Sequence, residues 1–297
     1  MNYEQLHEAW DTEFRTQSCT IRTLSQITGK KELTGSVMTF LGVFINVAEP
    51  EKTAAWMSEK LDFPWKNQGS LTVACCGDDR IFLHAASSPL IIQKADEGYY
   101  TGLAHIAFVS TDLETSVKLC QAADLPLANH SAISYNPGVW DTGMNYVNPL
   151  CPYGFGLEIC QRLDLPSAPM TAPARGFEHI GIPVSDIKES IGWYKALGFS
   201  CGTCARIHRE DGKTILCCMM TGYGIILELF EFTGIRHEPF SGQPLAALLF
   251  QSGNKEETKE LLAHAGITAA EYPEGLLLKG PDRETLWVQT ADPDLIH

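Results

Sequence analysis

Gly102-Leu-Ala-His105-Ile and Gly176-Phe-Glu-His179-Ile are the two stretches on which the reading of this chain turns. Each His is followed seven residues later by an Asp, Asp112 or Asp186, and then by an amphipathic run. One unit closes on Gly154-Phe-Gly-Leu-Glu158-Ile and the other on Gly224-Ile-Ile-Leu-Glu228-Leu. One His and one Glu, repeated twice in the same order, is the pattern of a metal site built from an internal repeat.

Outward from these stretches the same periodicity occurs four times: a strand, an amphipathic helix, then several short strands. In the second unit, 99–163, Leu103 to Val109 alternates as a strand and Thr111 or Asp112 caps the helix. In the third, 176–234, Phe177 to Val184 is the strand, Ser185 or Asp186 the cap, and Asp211-Gly212 the turn of a hairpin. Fainter copies occupy 36–98 and 244–292, a turn-rich linker spans 164–175, and 1–35 reads as a helical extension. The expected class is α+β, four βαβββ modules.

Composition narrows the function. The 297 residues are 44% hydrophobic and 20% charged, enough for a sizeable core. A net charge of −14 excludes nucleic acid and anionic membrane surfaces as natural partners. The N-terminus lacks an apolar signal region, and the apolar run from Phe40 to Val47 is too short to span a bilayer. A cytoplasmic protein, monomer or homodimer, acting on a small molecule is expected. The ten cysteines read as ordinary usage. Cys201-Gly-Thr-Cys204 and Cys217-Cys218 fall on strands, where residues one or three apart face opposite ways, so they read as small buried hydrophobes rather than a thiolate site.

The repeated unit, with His on its first strand and Glu on its last, resembles the vicinal oxygen chelate superfamily, which includes glyoxalase I, methylmalonyl-CoA epimerase, extradiol dioxygenases and fosfomycin and bleomycin resistance proteins. The resemblance is carried by His179-Ile-Gly-Ile-Pro-Val-Ser-Asp, Leu227-Glu228-Leu-Phe-Glu231 and the Gly280-Pro-Asp282 turn, and covers 36–291. It implies modules paired into two cupped mixed β-sheets, with a divalent metal on a concave face.

Strand alternation places His105 with Leu103 and Ala107, His179 with Phe177 and Gly181, Glu158 with Gly156 and Cys160, and Glu228 with Ile226 and Phe230. The small neighbours leave room for an ion and the large ones could wall a cavity. Glu231, three residues beyond Glu228, faces away, and His208, His237 and His264 lack matching partners. Two imidazoles and two carboxylates suit Ni, Fe, Mn, Co or Zn.

On the same template the His position becomes Phe44 and Ala247 in the outer units, and the Glu position becomes His84 and Trp287. Two pairings compete. If the middle units pair, His105, Glu158, His179 and Glu228 form one complete set and the outer units form a site without ligands. If units pair in chain order, the first half offers His84, His105 and Glu158.

The first set implies, by the resemblance, a metal-dependent lyase or isomerase of glyoxalase or epimerase type, with Glu158 or Glu228 as both ligand and base. The triad would instead suit an Fe(II) extradiol-type dioxygenase. A resistance-type transferase and a metal-free ligand-binding protein are the remaining alternatives. Tyr135, Trp140, Asp141, Asn145, Arg206, His208 and Tyr223 are the candidate substrate contacts, on loops or strand ends where specificity resides.

Overall fold

The computed structural model describes residues 37–85, 99–128, 133–140, 142–208, 212–234, 237–239 and 245–290; the expected extension over 1–35 and the candidate contact Asp141 lie outside them. The first unit contains β1 (Met38–Val47), α1 (Pro50–Leu61), β2 (Trp65–Gln68), β3 (Leu71–Cys76) and β4 (Asp79–Ala85). After β5 (Tyr99–Thr101), the second has β6 (His105–Val109), α2 (Leu113–Ala122), β7 (Ser134–Asn136), β8 (Met144–Val147) and β9 (Gly156–Arg162). The third has β10 (Phe177–Pro183), α3 (Ile187–Ala196), β11 (Ser200–His208), β12 (Thr214–Gly222) and β13 (Ile225–Phe232). Beyond β14 (His237–Pro239), the fourth has β15 (Leu245–Ser252), α4 (Lys255–Ala265), β16 (Ala269–Tyr272), β17 (Gly275–Lys279) and β18 (Thr285–Gln289).

Local chemistry starts each helix. Pro50 opens α1, where a missing N–H costs nothing. The other three begin on side chains that accept backbone N–H groups: Asp112 from Thr115, Asp186 from Lys188 and Glu189, and Asn254 from Glu256 and Glu257. The Asp seven residues after each repeated His is therefore a helix cap, and it ends the strand that carries the His.

Within every unit the first strand runs parallel to the last: β1 with β4, β6 with β9, β10 with β13, and β15 with β18. Between units, β6 pairs antiparallel with β10, and β1 with β15. Two eight-stranded mixed sheets result. The middle units make β11-β12-β13-β10-β6-β9-β8-β7, and the outer units make β16-β17-β18-β15-β1-β4-β3-β2. The chain-order pairing does not occur, so the last unit returns to the first.

The main core lies between the sheets. Phe40 of the outer sheet meets Phe177 of the inner one at 6.0 Å between ring centroids, and Phe63 meets Phe108 at 5.0 Å edge-to-face. The outer sheet's other face is also apolar: Phe44, Phe82, Leu249, Ala247 and Trp287 form a buried cluster. No helix among the described residues is long and apolar enough to cross a membrane.

Polar contacts fix the outer unit against the inner one at the Gly280-Pro-Asp282 turn. Ser185 N–H donates to Asp282 Oδ2 at 2.9 Å, and Tyr194 O–H donates to Glu284 Oε1 at 2.7 Å. Gly280 is required here, since a Cβ would lie 1.9 Å from that same Glu284 oxygen. Burial pushes the Glu284 carboxyl up to about 7 from its ordinary 4.5. The folded chain therefore keeps a proton that the unfolded chain has lost. This contribution is complete below the unfolded value and disappears as pH rises through the folded one. Glu284→Gln, which still accepts from Tyr194, is expected to remove roughly 3 kcal/mol of the fall in unfolding free energy between about pH 4.5 and 7. Denaturant titrations of wild type and variant across that range measure it; equal slopes would refute the assignment.

Candidate metal centre

The four strands β9, β6, β10 and β13 lie side by side at the middle of the inner sheet, so the residues of the two repeats meet in cross-strand rows. One row runs Gly156, His105, Gly181, Glu228; the next runs Glu158, Ala107, His179, Ile226. In each row a small residue separates the two polar ones, Gly181 between His105 and Glu228 and Ala107 between Glu158 and His179. Side chains on neighbouring strands can then lean over the gap and converge. Gly181 is indispensable to this: the His105 ring occupies the space of its absent side chain, and a Cβ there would lie 1.9 Å from His105 Cε1.

The convergence is close. His105 Nε2 is 3.2 Å from His179 Nε2 and 3.5 Å from Glu228 Oε2. His179 Nε2 is 3.3 Å from Glu228 Oε2 and 3.6 Å from Glu158 Oε1. His105, His179 and Glu228 offer ligand atoms that all lie within 4.8 Å of one another, and Glu158 joins them through His179.

His84 is not among them. It lies on β4 of the other sheet, opposite Asn46, hydrogen-bonds the Asn46 side chain at 3.2 Å and stacks on Phe44. The alternative set of His84, His105 and Glu158 is therefore not assembled, because the chain-order pairing it needs does not form.

A fifth ionisable group, Glu178, was not expected. Phe177 pairs with Phe108 and His179 with Ala107, two consecutive partners, so Glu178 is the extra residue of a β-bulge. The bulge breaks the strand's alternation. Phe177 turns into the core between the sheets, against Phe40 and Phe108, instead of walling the site beside His179. Glu178, buried, brings its Oε2 against His179 Nδ1. A carboxylate there orients the His179 ring and, in the neutral imidazole, places the proton on Nδ1, so that Nε2 is the nitrogen turned to a metal.

The electrostatics follow from burial among opposite charges. Burial alone would hold His179 neutral, but the Glu228 and Glu178 carboxylates carry its pKa well above the ordinary histidine value. Burial works to raise Glu228 as well, yet His179 and the hydrogen bonds from both imidazoles hold its carboxyl far below the carboxylate range. Glu158 moves the other way, raised by burial against the pull of His179 and His105. Its Oε1 is buried with no hydrogen-bond partner.

These residues fit a divalent ion. Bonds of about 2.0–2.2 Å place adjacent ligand atoms about 3.0–3.4 Å apart, close to the spacings here. The donors are nitrogen and oxygen, suited to first-row metals. The orphaned Glu158 oxygen, costly as it stands, is what such an ion would satisfy.

A cavity of about 490 Å³ opens onto the set, with His105, Glu158 and Glu228 in its wall. Its other sides are apolar (Met144, Ile207, Phe230) with Asn136, Tyr146 and Asn148 among them. Most of the candidate substrate contacts lie elsewhere. Tyr135 is exposed and donates to the Thr142 carbonyl. Asn145, Arg206 and His208 alternate with the residues that do face the cavity, Tyr146 and Ile207, and His208 bonds Thr214. Tyr223 packs in the core between the sheets and donates to the Leu197 carbonyl. Trp140 packs against the cluster on the site's face and stacks under the Arg162 guanidinium, without lining the cavity. Tyr146 and Asn136 were missed, although Tyr146 lies opposite Cys160 and so shares the face of Glu158. Glu231 faces away, as expected, and accepts from the Ile187 N–H at the start of α3.

Two substitutions test this geometry. Glu178→Gln is expected to weaken divalent-metal affinity by about 10–100-fold, the usual cost of losing an orienting group behind a ligand. Gly181→Ala is expected to displace the His105 ring and lower metal occupancy below one per chain. Metal titration with circular dichroism as the folding control measures both; unchanged affinity in each variant would refute the arrangement.

No protein-family model matches the sequence, and no curated protein matches it. Solved structures do resemble it. Glyoxalase I from Zea mays aligns with a TM-score of 0.61 at 17% identity, over 85% of this chain and 92% of the maize chain. A point variant of that enzyme gives 0.59 at 18% identity over 86% and 94%. A candidate dioxygenase from Bacillus subtilis gives 0.58 at 12% identity, over 86% of each chain. At such identities the likeness is one of fold. The strand order, the paired modules and these neighbours agree: the chain has a glyoxalase-like fold built of four modules.

Proposed function

We propose that the chain is a divalent-metal-dependent lyase or isomerase acting on a small oxygenated substrate, with its active site on the inner sheet. The observation that carries this is the meeting of two imidazoles and Glu228 at 3.2–3.5 Å, with Glu158 at 3.6 Å from His179, beside a cavity of about 490 Å³. His105 Nε2, His179 Nε2, Glu228 Oε2 and a Glu158 oxygen would hold the ion, which is Ni, Fe, Mn, Co or Zn. When bound, a divalent ion supplies Lewis acidity toward a substrate carbonyl.

The protein's own residues divide the remaining work. Glu228 contacts both imidazoles and stays anionic. Glu178 orients His179 from behind. Glu158, ligand and base in turn, would accept a proton from the carbon next to the carbonyl and return it to the neighbouring position. Two carboxylates driven in opposite directions by their surroundings, one kept charged and one free to take a proton, is the division that acid–base isomerisation needs. Phe230, Met144 and Ile207 give the cavity apolar walls, while Asn136, Tyr146 and Asn148 can hold substrate oxygens.

The test is metal content and carbon-bound proton exchange in deuterated water, over a panel of thiol–ketoaldehyde adducts, acyl-CoA thioesters and keto sugars. His179→Ala is expected to lose the metal and His84→Ala to keep it. A chelator is expected to stop exchange, and a divalent ion to restore it. Exchange that persists after chelation, or oxygen uptake with a catechol instead of exchange, would overturn the reading.

A further inference from the structure

β11 and β12 carry a second cluster on the other face of the inner sheet. Cys201 pairs with Met220 and Cys204 with Cys218. Between these pairs β11 has two residues, Gly202 and Thr203, and β12 has one, Met219, so β11 is bulged. Simple alternation places residues three apart on opposite faces; the bulge restores Cys201 and Cys204 to the same one. Cys217, one residue before Cys218, instead faces the cup, where its Sγ lies 3.5 Å from Glu228 Oε1.

The result is a concentration of sulfur. Cys201 Sγ is 3.4 Å from Cys204 Sγ and 3.2 Å from Cys218 Sγ, and Cys218 Sγ is 3.7 Å from Met220 Sδ. The three Sγ atoms lie within 4.8 Å of one another. Core packing accounts for Cys218 and Met220, which are buried, but not for Cys201 and Cys204, which are exposed on the strand at the sheet's edge. Exposed thiols contribute little to packing.

We propose that Cys201, Cys204 and Cys218, with the Met220 thioether as a fourth donor, form a binding site for a soft, thiophilic metal ion of the Cu(I) class. Thiolate and thioether sulfur select such ions, whereas the nitrogen and oxygen donors of the cup suit harder divalent metals. One strand, β12, therefore borders two sites of different chemical preference on its two faces. On binding, each thiol releases its proton to solvent as its bond to the metal forms, and no electron is transferred. The exposed Cys201 and Cys204 give the ion a path from solvent.

The test uses the full chain, stripped of metal, fully reduced and kept anaerobic, titrated with Cu(I) against a coloured Cu(I) chelator. Wild type is expected to withhold one equivalent through a sulfur-only shell in X-ray absorption. Cys201→Ser and Cys204→Ser, both at exposed positions, are expected to lose at least the roughly 10–100-fold in affinity that disturbing a metal's surroundings costs, with unchanged melting temperature. Cys75→Ser and His179→Ala are expected to retain the equivalent. Reduced protein that withholds no Cu(I), serine variants that bind as wild type does, or nitrogen and oxygen in the shell would each overturn the proposal.

Discussion

Two imidazoles and three carboxylates meet beside one sheet, His179, Glu158 and Glu178 buried and His105 and Glu228 partly so, and they cannot be accommodated separately. An isolated buried charge is expensive, and its cost falls only when opposite charges and hydrogen bonds are at hand. Here each group is offset by another: Glu228 by both histidines, His179 by Glu228 and Glu178. The small residues Ala107 and Gly181, the bulge at Glu178 and the antiparallel pairing of β6 with β10 all serve to bring these groups within contact. The group remains rich in negative charge, with an oxygen of Glu158 and one of Glu178 unsatisfied, which is the condition that favours a cation.

The outer sheet is the counter-example built from the same unit. Asn46 lies opposite His84 on β1 and β4 as Ala107 lies opposite Glu158 on β6 and β9. Phe44, Ala247 and Trp287 nevertheless fill that face with apolar side chains. Without converging carboxylates there is nothing to hold a divalent ion, and burial lowers the pKa of His84, favouring its neutral form. The two sheets share a core and the polar fastening at Glu284, and they differ in what their outward faces contain.

Bulges are where the structure departs most from a reading by alternation. At Glu178 a bulge exchanged Phe177 for a carboxylate beside His179. On β11 another gathered Cys201 and Cys204, which regular alternation had separated. Within strands free of a bulge alternation held, with Ala107, Cys160, Ile226 and Phe230 in the cluster on the site's face, whereas Leu103, expected beside His105, precedes β6 and packs into the core between the sheets. The same parity separates Asn145 from its neighbour Tyr146, which is the one that faces the cavity.

The sequence by itself determined the repeated strand–helix–strand units, the helix starts at Asp112 and Asp186, and the two His and two Glu, because these depend on local periodicity and on residue types with few other uses in a buried strand. Which units share a sheet was open in the sequence. All four offer apolar strands of similar length, and only the register of β6 on β10 and of β1 on β15 separates the pairings. The tertiary structure alone decided that, and with it that His84 stands apart from the site. It also decided the role of Glu178, since a bulge is set by the pairing of two strands and leaves no mark in the residues of one.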